Sequence, residues 1–119
     1  MDSKHTPGPW VVPHFARDEV ECNCASVVCE GYAGAVATVH IGNGKPIGKG
    51  GNDSPPLEEA KANARLIAAA PEMFDALQKI IEMNLQHAQD QFGDAEKAEH
   101  WACVVVARAA LSKATGEST

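Results

Sequence analysis

Three features that would point to common functional classes are missing from this sequence of 119 residues. Basic residues are few, because acids outnumber lysine and arginine by 16 to 10 and the net charge is -6. Affinity for a phosphate backbone comes from clustered lysine and arginine, so this balance argues against direct nucleic-acid binding, although an acidic protein can still block a basic groove. There is also no apolar run near the roughly 20 residues that span a bilayer, and no charged-then-apolar start typical of a signal peptide.

Catalytic motifs are the third absence. The histidines are scattered along the chain, without an HExxH pair, a G-x-S-x-G elbow or an acidic pair with a recognisable partner. We therefore predict a protein that is not an enzyme and needs no cofactor. The alternative is a small hydrolase in which Cys29 is the nucleophile and His40 the base.

The composition is that of a globular protein, with 45% hydrophobic and 22% charged residues. A chain of this length buries enough surface to fold without a metal or a disulfide. We predict one domain over residues 1–119, with a β-rich half at about 8–50 and a helical half at about 55–115.

The four cysteines are expected in a reducing compartment, where disulfides are uncommon. Cys22, Cys24 and Cys29 form a C-x-C pair followed by a third thiol, and His100 with Cys103 could complete a ligand set. A zinc-stabilised binding module is therefore one alternative. We favour the other interpretation, that these thiols are small buried side chains and that the protein holds no metal.

Residues 10–41 have the alternating, β-branched pattern of short strands, interrupted by glycine and proline. The pattern predicts strands at residues 10–12, 20–28 and 35–41. Glycines in the segment 30–34 suit a hairpin turn, so the second and third strands are expected to be antiparallel neighbours.

The segment 42–56 is a long loop rich in glycine and proline. Backbone amides of such loops can hold an anion, and Lys45 and Lys49 would add positive charge. The spacing differs from a Walker motif, because Gly50 stands where Ser or Thr belongs and Asn43 where the first glycine belongs. A flexible connection is the alternative interpretation.

The rest of the chain has the 3.6-residue periodicity of helices. We expect Ser54 to cap a first helix with Pro55 at its first position, Pro71 to separate it from a second helix that Gly93 ends, and Asp94 to cap a third helix reaching about residue 113. The expected fold class is α+β, a small antiparallel β-meander packed on two to three C-terminal α-helices. Because residues 101–107 are apolar nearly all round, we expect a homo-oligomer, most simply a dimer.

Two sequence strings resemble those of a known family. They are "HTPGPW" at residues 5–10 and "NARLIAAAPE" at residues 63–72. Both are similar to strings in a mostly uncharacterised family of small proteins encoded by bacteriophages and prophages, and the resemblance covers roughly residues 5–12 and 58–77. It implies an accessory protein in the host cytoplasm that counters a host defence or metabolic process. The expected partners are a second copy of the chain and either a host protein or a small anionic or nucleotide ligand.

Polar residues on apolar helical surfaces are the candidate ligand-binding groups. We expect the amide of Asn63 to face the strands or the loop, and we favour the interpretation that Arg65 and Arg108 pair with acids such as Glu58 or Glu72. The functional alternative is that the two arginines surround a pocket, where they hold phosphate or carboxylate and Trp10 stacks on a base.

Overall fold

The computed structural model describes residues 4–12, 24–29, 35–40 and 56–117. Within them the chain forms three strands, three α-helices and one 3₁₀ helix. The strands are β1 (Trp10–Val11), β2 (Cys24–Cys29) and β3 (Ala37–His40); the helices are α1 (Leu57–Ala68), α2 (Ala70–Phe92), the 3₁₀ helix (Ala95–His100) and α3 (Ala102–Thr115). The chain divides into an N-terminal unit, Thr6–Pro71, and a C-terminal unit, Glu72–Thr119 with the first five residues.

The N-terminal unit places α1 against the strands, which pair antiparallel in the order β1-β2-β3. Its core consists of Val39, Ala60 and Ala64, surrounded by partly buried apolar residues that include Trp10 and Ile67. Ala60 and Ala64 are one helical turn apart and fully buried, so the small side chains let α1 approach the strands closely.

The predicted fold class is wrong, because the described part of the chain is mostly helical. The three α-helices have 12, 23 and 14 residues, whereas the strands have 2, 6 and 4. Strands this short do not make a β layer that two or three helices could cover. The physical reason is that α2 and α3 bury their apolar residues in a core of their own.

That core belongs to the C-terminal unit and contains Phe74, Ile81, Ala88, Ala98, Val104, Ala107 and Leu111. On α2 the three buried residues are seven apart, and on α3 they follow the 3.6-residue period, which is why each helix buries one stripe. Met73 and Ile80 have the same helical spacing but lie outside this stripe, since they are 47% and 41% exposed. The buried stripe of α2 is therefore narrower than the set of apolar residues that its sequence contains.

The helix boundaries follow local chemistry. The helices α1 and α2 are separated at Ala69, two residues before Pro71, whose missing N–H prevents a continuous helical ladder. Gly93 follows α2 with a φ of 69°, a left-handed conformation that favours glycine. The helix α1 begins later than expected, at Leu57, and its N-cap is Pro56, which gives no side-chain hydrogen bond. The expected cap, Ser54, lies outside the described residues.

The third predicted helix is in fact two elements. Asp94 caps the 3₁₀ helix, where its carboxylate accepts a hydrogen bond from the backbone N–H of Glu96 at 3.0 Å. Trp101 then adopts an extended conformation, with φ of -73° and ψ of 137°, and α3 begins after it. The junction fixes where Glu99 and Arg108 stand relative to each other.

Candidate functional site: the Arg108 groove

The described polar cluster with the best geometry is an ion pair between the 3₁₀ helix and α3. The Nε of Arg108 donates to Oε2 of Glu99 at 2.6 Å, and Nη2 donates to Oε1 at 2.5 Å. Two parallel charge-assisted bonds of this kind fix the plane of the guanidinium group. Arg108 therefore pairs with an acid, as we expected, but its partner is Glu99 and neither Glu58 nor Glu72.

The pair changes the protonation equilibria of both groups. Its hydrogen bonds hold the pKa of Glu99 below the ordinary value, against the opposing effect of burial, and the positive charge of Arg108 adds to the lowering. The same hydrogen bonds raise the pKa of Arg108. Both groups are charged at neutral pH.

Arg108 also borders an open groove of about 280 Å³ within the C-terminal unit. Its apolar lining is Ile81, Leu85 and Leu111, and its polar lining adds Gln78 and Glu82 to Arg108. Among the described residues, the Nη1 nitrogen of Arg108 has no hydrogen-bond partner. The groove can thus offer one N–H donor to a ligand, but Glu82 and Glu99 together outweigh the single positive charge.

Three other predicted ligand residues, Trp10, Asn63 and Arg65, lie in the N-terminal unit. Trp10 is half-buried in β1, and its indole Nε1 donates to the carbonyl of Thr6 at 3.1 Å. Asn63 and Arg65 are both exposed on α1, so the expectation that the amide of Asn63 turns away from water is wrong. Glu58, a suggested partner for the arginines, forms an ion pair with Lys61 at 3.5 Å.

The predicted anion loop and most of the metal alternative cannot be placed. Lys45, Lys49 and Cys22 lie outside the described residues, and Cys24 and Cys29 are described only as members of β2. Within the described ranges, no three His, Cys, Asp or Glu residues are grouped so that they could hold a metal ion.

Cys103 departs from the expectation of a buried thiol, because it is exposed. Its Sγ donates to Oδ1 of Asn84 on α2 at 3.5 Å.

The strand register removes the hydrolase alternative. Cys24 is opposite His40, while Cys29, at the far end of β2, is opposite Trp10. Five residues of strand separate Cys29 from the position facing His40, which corresponds to about 17 Å. A nucleophile and its base must be within hydrogen-bond reach, so Cys29 and His40 cannot act together.

The comparison with known protein families supplies the identification. The model of the family described as Salmonella phage P22 protein Y8K6 matches residues 1–118. The chain belongs to this family. The expected origin in a phage-encoded family is therefore confirmed, whereas the two sequence strings stay a resemblance. No curated protein and no solved structure matches the chain.

Two further observations concern the described helices. No helix in the described ranges is long and apolar enough to cross a membrane. Several large apolar side chains are exposed on the described helices: Leu66, Met73, Ile80, Met83, Phe92, Val105 and Val106. The sequence analysis did not predict this exposed surface on α2, although α2 contains more apolar residues than a single buried stripe needs.

Proposed function

We propose that this phage protein is a non-catalytic accessory protein that counters a host defence or metabolic process by binding a host protein. It acts in the host cytoplasm and as a homo-oligomer. The observation that supports binding is the exposed apolar surface of the helices, where Met83 is 63% and Val106 67% exposed. Exposed apolar surface on a monomer is typical of an interaction site.

The charge of the protein favours a host protein over an anionic ligand. The net charge is -6, and α2 carries Glu72, Asp75, Glu82 and Asp90 against Lys79 alone among lysines and arginines. Such a surface repels nucleotides and attracts basic protein surfaces, and charge complementarity accelerates association between proteins.

The second candidate is binding of a small anionic signal in the Arg108 groove. The free Nη1 of Arg108 favours it. The two neighbouring carboxylates, Glu82 and Glu99, oppose it, because any anion must compete with Glu99 for the guanidinium and approach Glu82 in the lining of the groove.

The test of the leading proposal is affinity capture from host lysate with three variants that each place a charge in exposed apolar surface: Leu66→Glu, Phe92→Glu and Val105→Glu. Gln89→Glu is the matched control, since it adds the same charge at an exposed polar position. We expect the wild-type protein and the control to capture one host protein in fixed ratio and at least one variant to lose it. Equal capture by all four variants, or no partner in fixed ratio, contradicts the proposal.

The unfolding temperature distinguishes the anionic-ligand candidate from the host-protein proposal. Cyclic nucleotides should leave the unfolding temperature of the purified protein unchanged, because ligand binding to the folded state alone would raise it. An increase that Arg108→Met abolishes would replace the host-protein proposal with the anionic one.

A further inference from the structure

The Arg108 groove between α2 and α3 has a lining that is partly apolar and partly charged. Ile81, Leu85 and Leu111 supply the apolar part, and Glu82 and Arg108 supply the charged part. With about 280 Å³, the groove is smaller than the roughly 300 to 1,000 Å³ typical of small-molecule pockets, and it is open to solvent. A groove of this size and openness suits one side chain of a partner protein better than an enclosed small molecule.

Glu82 supplies a negative charge in this lining that is not used within the described part of the chain. The residue is exposed, and it takes part in no ion pair or hydrogen bond with the described residues. Lys79 stands three residues before it on the same helix, a spacing at which opposite charges can meet, but the ion pairs of the described residues do not join the two. The carboxylate of Glu82 is therefore available to a cation from another molecule.

The positive charge of Arg108 does not exclude a second cation, because Glu99 neutralises it. The Nε and Nη2 nitrogens of Arg108 both donate to the carboxylate of Glu99. Since that pair has no net charge, Glu82 leaves the groove with one negative charge in excess. The Nη1 nitrogen, which has no hydrogen-bond partner among the described residues, can donate to a carbonyl oxygen, a group that every peptide segment carries.

We infer that the Arg108 groove binds a lysine or arginine side chain of a host protein, with the aliphatic stem on the apolar lining and the charged head at Glu82. This inference rests on the proposed function, the binding of a host protein, and specifies the chemistry that the partner presents. Long basic side chains lay their methylene groups along apolar surface while the charged end stays in water, and an open groove beside an unpaired carboxylate permits both. The excess negative charge that opposes a small anion favours this occupant.

Titration of the purified full chain with three amino-acid derivatives, followed by nuclear magnetic resonance, tests the inference. N-acetyl-lysine methylamide has the stem and the cationic head, N-acetyl-norleucine methylamide has the stem alone, and N-acetyl-glutamate methylamide has an anionic head. The lysine probe should shift the backbone amide signals of residues 78–85 and 108–111 with a dissociation constant on the order of 1 mM, as expected for a probe of this size. The norleucine probe should bind at least about threefold more weakly, and the glutamate probe should give no saturable shift.

A pair of variants shows whether Glu82 holds the cationic head. Glu82→Gln should weaken binding of the lysine probe about threefold to fivefold, the range expected for one solvent-exposed ion pair. Glu72→Gln is the matched control, because it removes the same charge about 15 Å away along α2, beyond the screening length of about 8 Å at physiological salt. The control should leave the dissociation constant within about 1.5-fold of wild type. Circular dichroism should show unchanged helix content, since both glutamates are exposed and glutamine favours helix nearly as well.

Three results overturn the inference: no saturable shift of the groove signals up to about 20 mM lysine probe, equal affinity for the lysine and norleucine probes, or equal binding by the two variants. No host protein is present in the titration, and the capture variants at Leu66, Phe92 and Val105 lie outside the groove lining. The two proposals can therefore fail separately. Capture of a host protein without binding of the lysine probe would contradict only the groove, and binding of the lysine probe without capture would contradict only the host-protein proposal.

Discussion

The core between α2 and α3 predicts that the same substitution destabilises the protein at one of two adjacent valines of α3 and has almost no effect at the other. Val104 is fully buried and Val105 is 51% exposed, so Val104→Ala and Val105→Ala are the same chemical change in two environments. Each change removes two methyl groups, with a transfer free energy of about 1.6 kcal/mol when the side chain is fully buried. Alanine also favours helix over valine by about 0.5 kcal/mol, and this partly offsets the loss in both variants.

For Val104→Ala the cavity left in the core adds to the transfer term, so the free energy of unfolding should fall by about 1.5 to 2.5 kcal/mol. For Val105→Ala the transfer term is about half as large and the helix propensity nearly cancels it, so the change should stay within about 0.5 kcal/mol of zero. Urea denaturation followed by circular dichroism measures both values. The variants must be compared at one protein concentration, because self-association adds to apparent stability. Equal losses for the two variants would refute the described packing of α3.

Other parts of the structure give further predictions. The lowered pKa of Glu99 means that its ion pair stabilises the folded state fully above the ordinary glutamate pKa of about 4.3 and that this contribution is lost as the pH falls through the lowered value. Because both side chains are more than a third exposed, the contribution should be about 0.5 to 1 kcal/mol, and Glu99→Gln should remove it from the pH dependence of urea unfolding. Trp10→Phe keeps an aromatic side chain but loses the indole N–H that donates to the carbonyl of Thr6, so exchange protection in the N-terminal unit should fall by at least about 0.5 to 1.5 kcal/mol; an unchanged value would contradict the contact. Gly93→Ala should cost about 1 kcal/mol in a thermal melt because of its positive φ, although a Cβ there meets no other atom. Elemental analysis of the purified protein should find well below one equivalent of zinc, and a full equivalent would restore the metal alternative.

The helical part of the fold could be predicted because its signals are local and long. Phe74, Ile81 and Ala88 repeat at a helical spacing over several turns, and the missing N–H of Pro71 separates two helices whatever else surrounds it. The fold class could not be predicted in the same way. Short stretches of β-branched residues indicate strands, but nothing in them shows how few residues will pair.

Only one of the two charged residues of the candidate site could be predicted from the sequence. Arg108 stood out as a charge on an apolar helix, but its partner Glu99 is nine residues away, across the extended conformation of Trp101. Rules for neighbours three or four apart within one helix do not reach across such a junction. The prediction that Asp94 caps a helix is confirmed, but the helix that follows is a 3₁₀ helix. The sequence could not show this, because a capping side chain binds the first backbone N–H groups in both helix types.

The exposed apolar surface of α2 could not be predicted from the sequence. Met73 and Ile80 have the spacing of core residues, but the structure leaves them 47% and 41% exposed. An apolar row that its own chain does not cover is a signal of association, which the sequence of α3 indicated and that of α2 did not.

The central claim is that this phage protein acts by binding a host protein in fixed proportion. The most direct measurement is native mass spectrometry of the tagged protein recovered from infected host cells. Our account predicts a discrete complex that contains a whole-number ratio of one host protein to the phage chain. Recovery of the phage chain alone, without a host protein in fixed ratio, would contradict it.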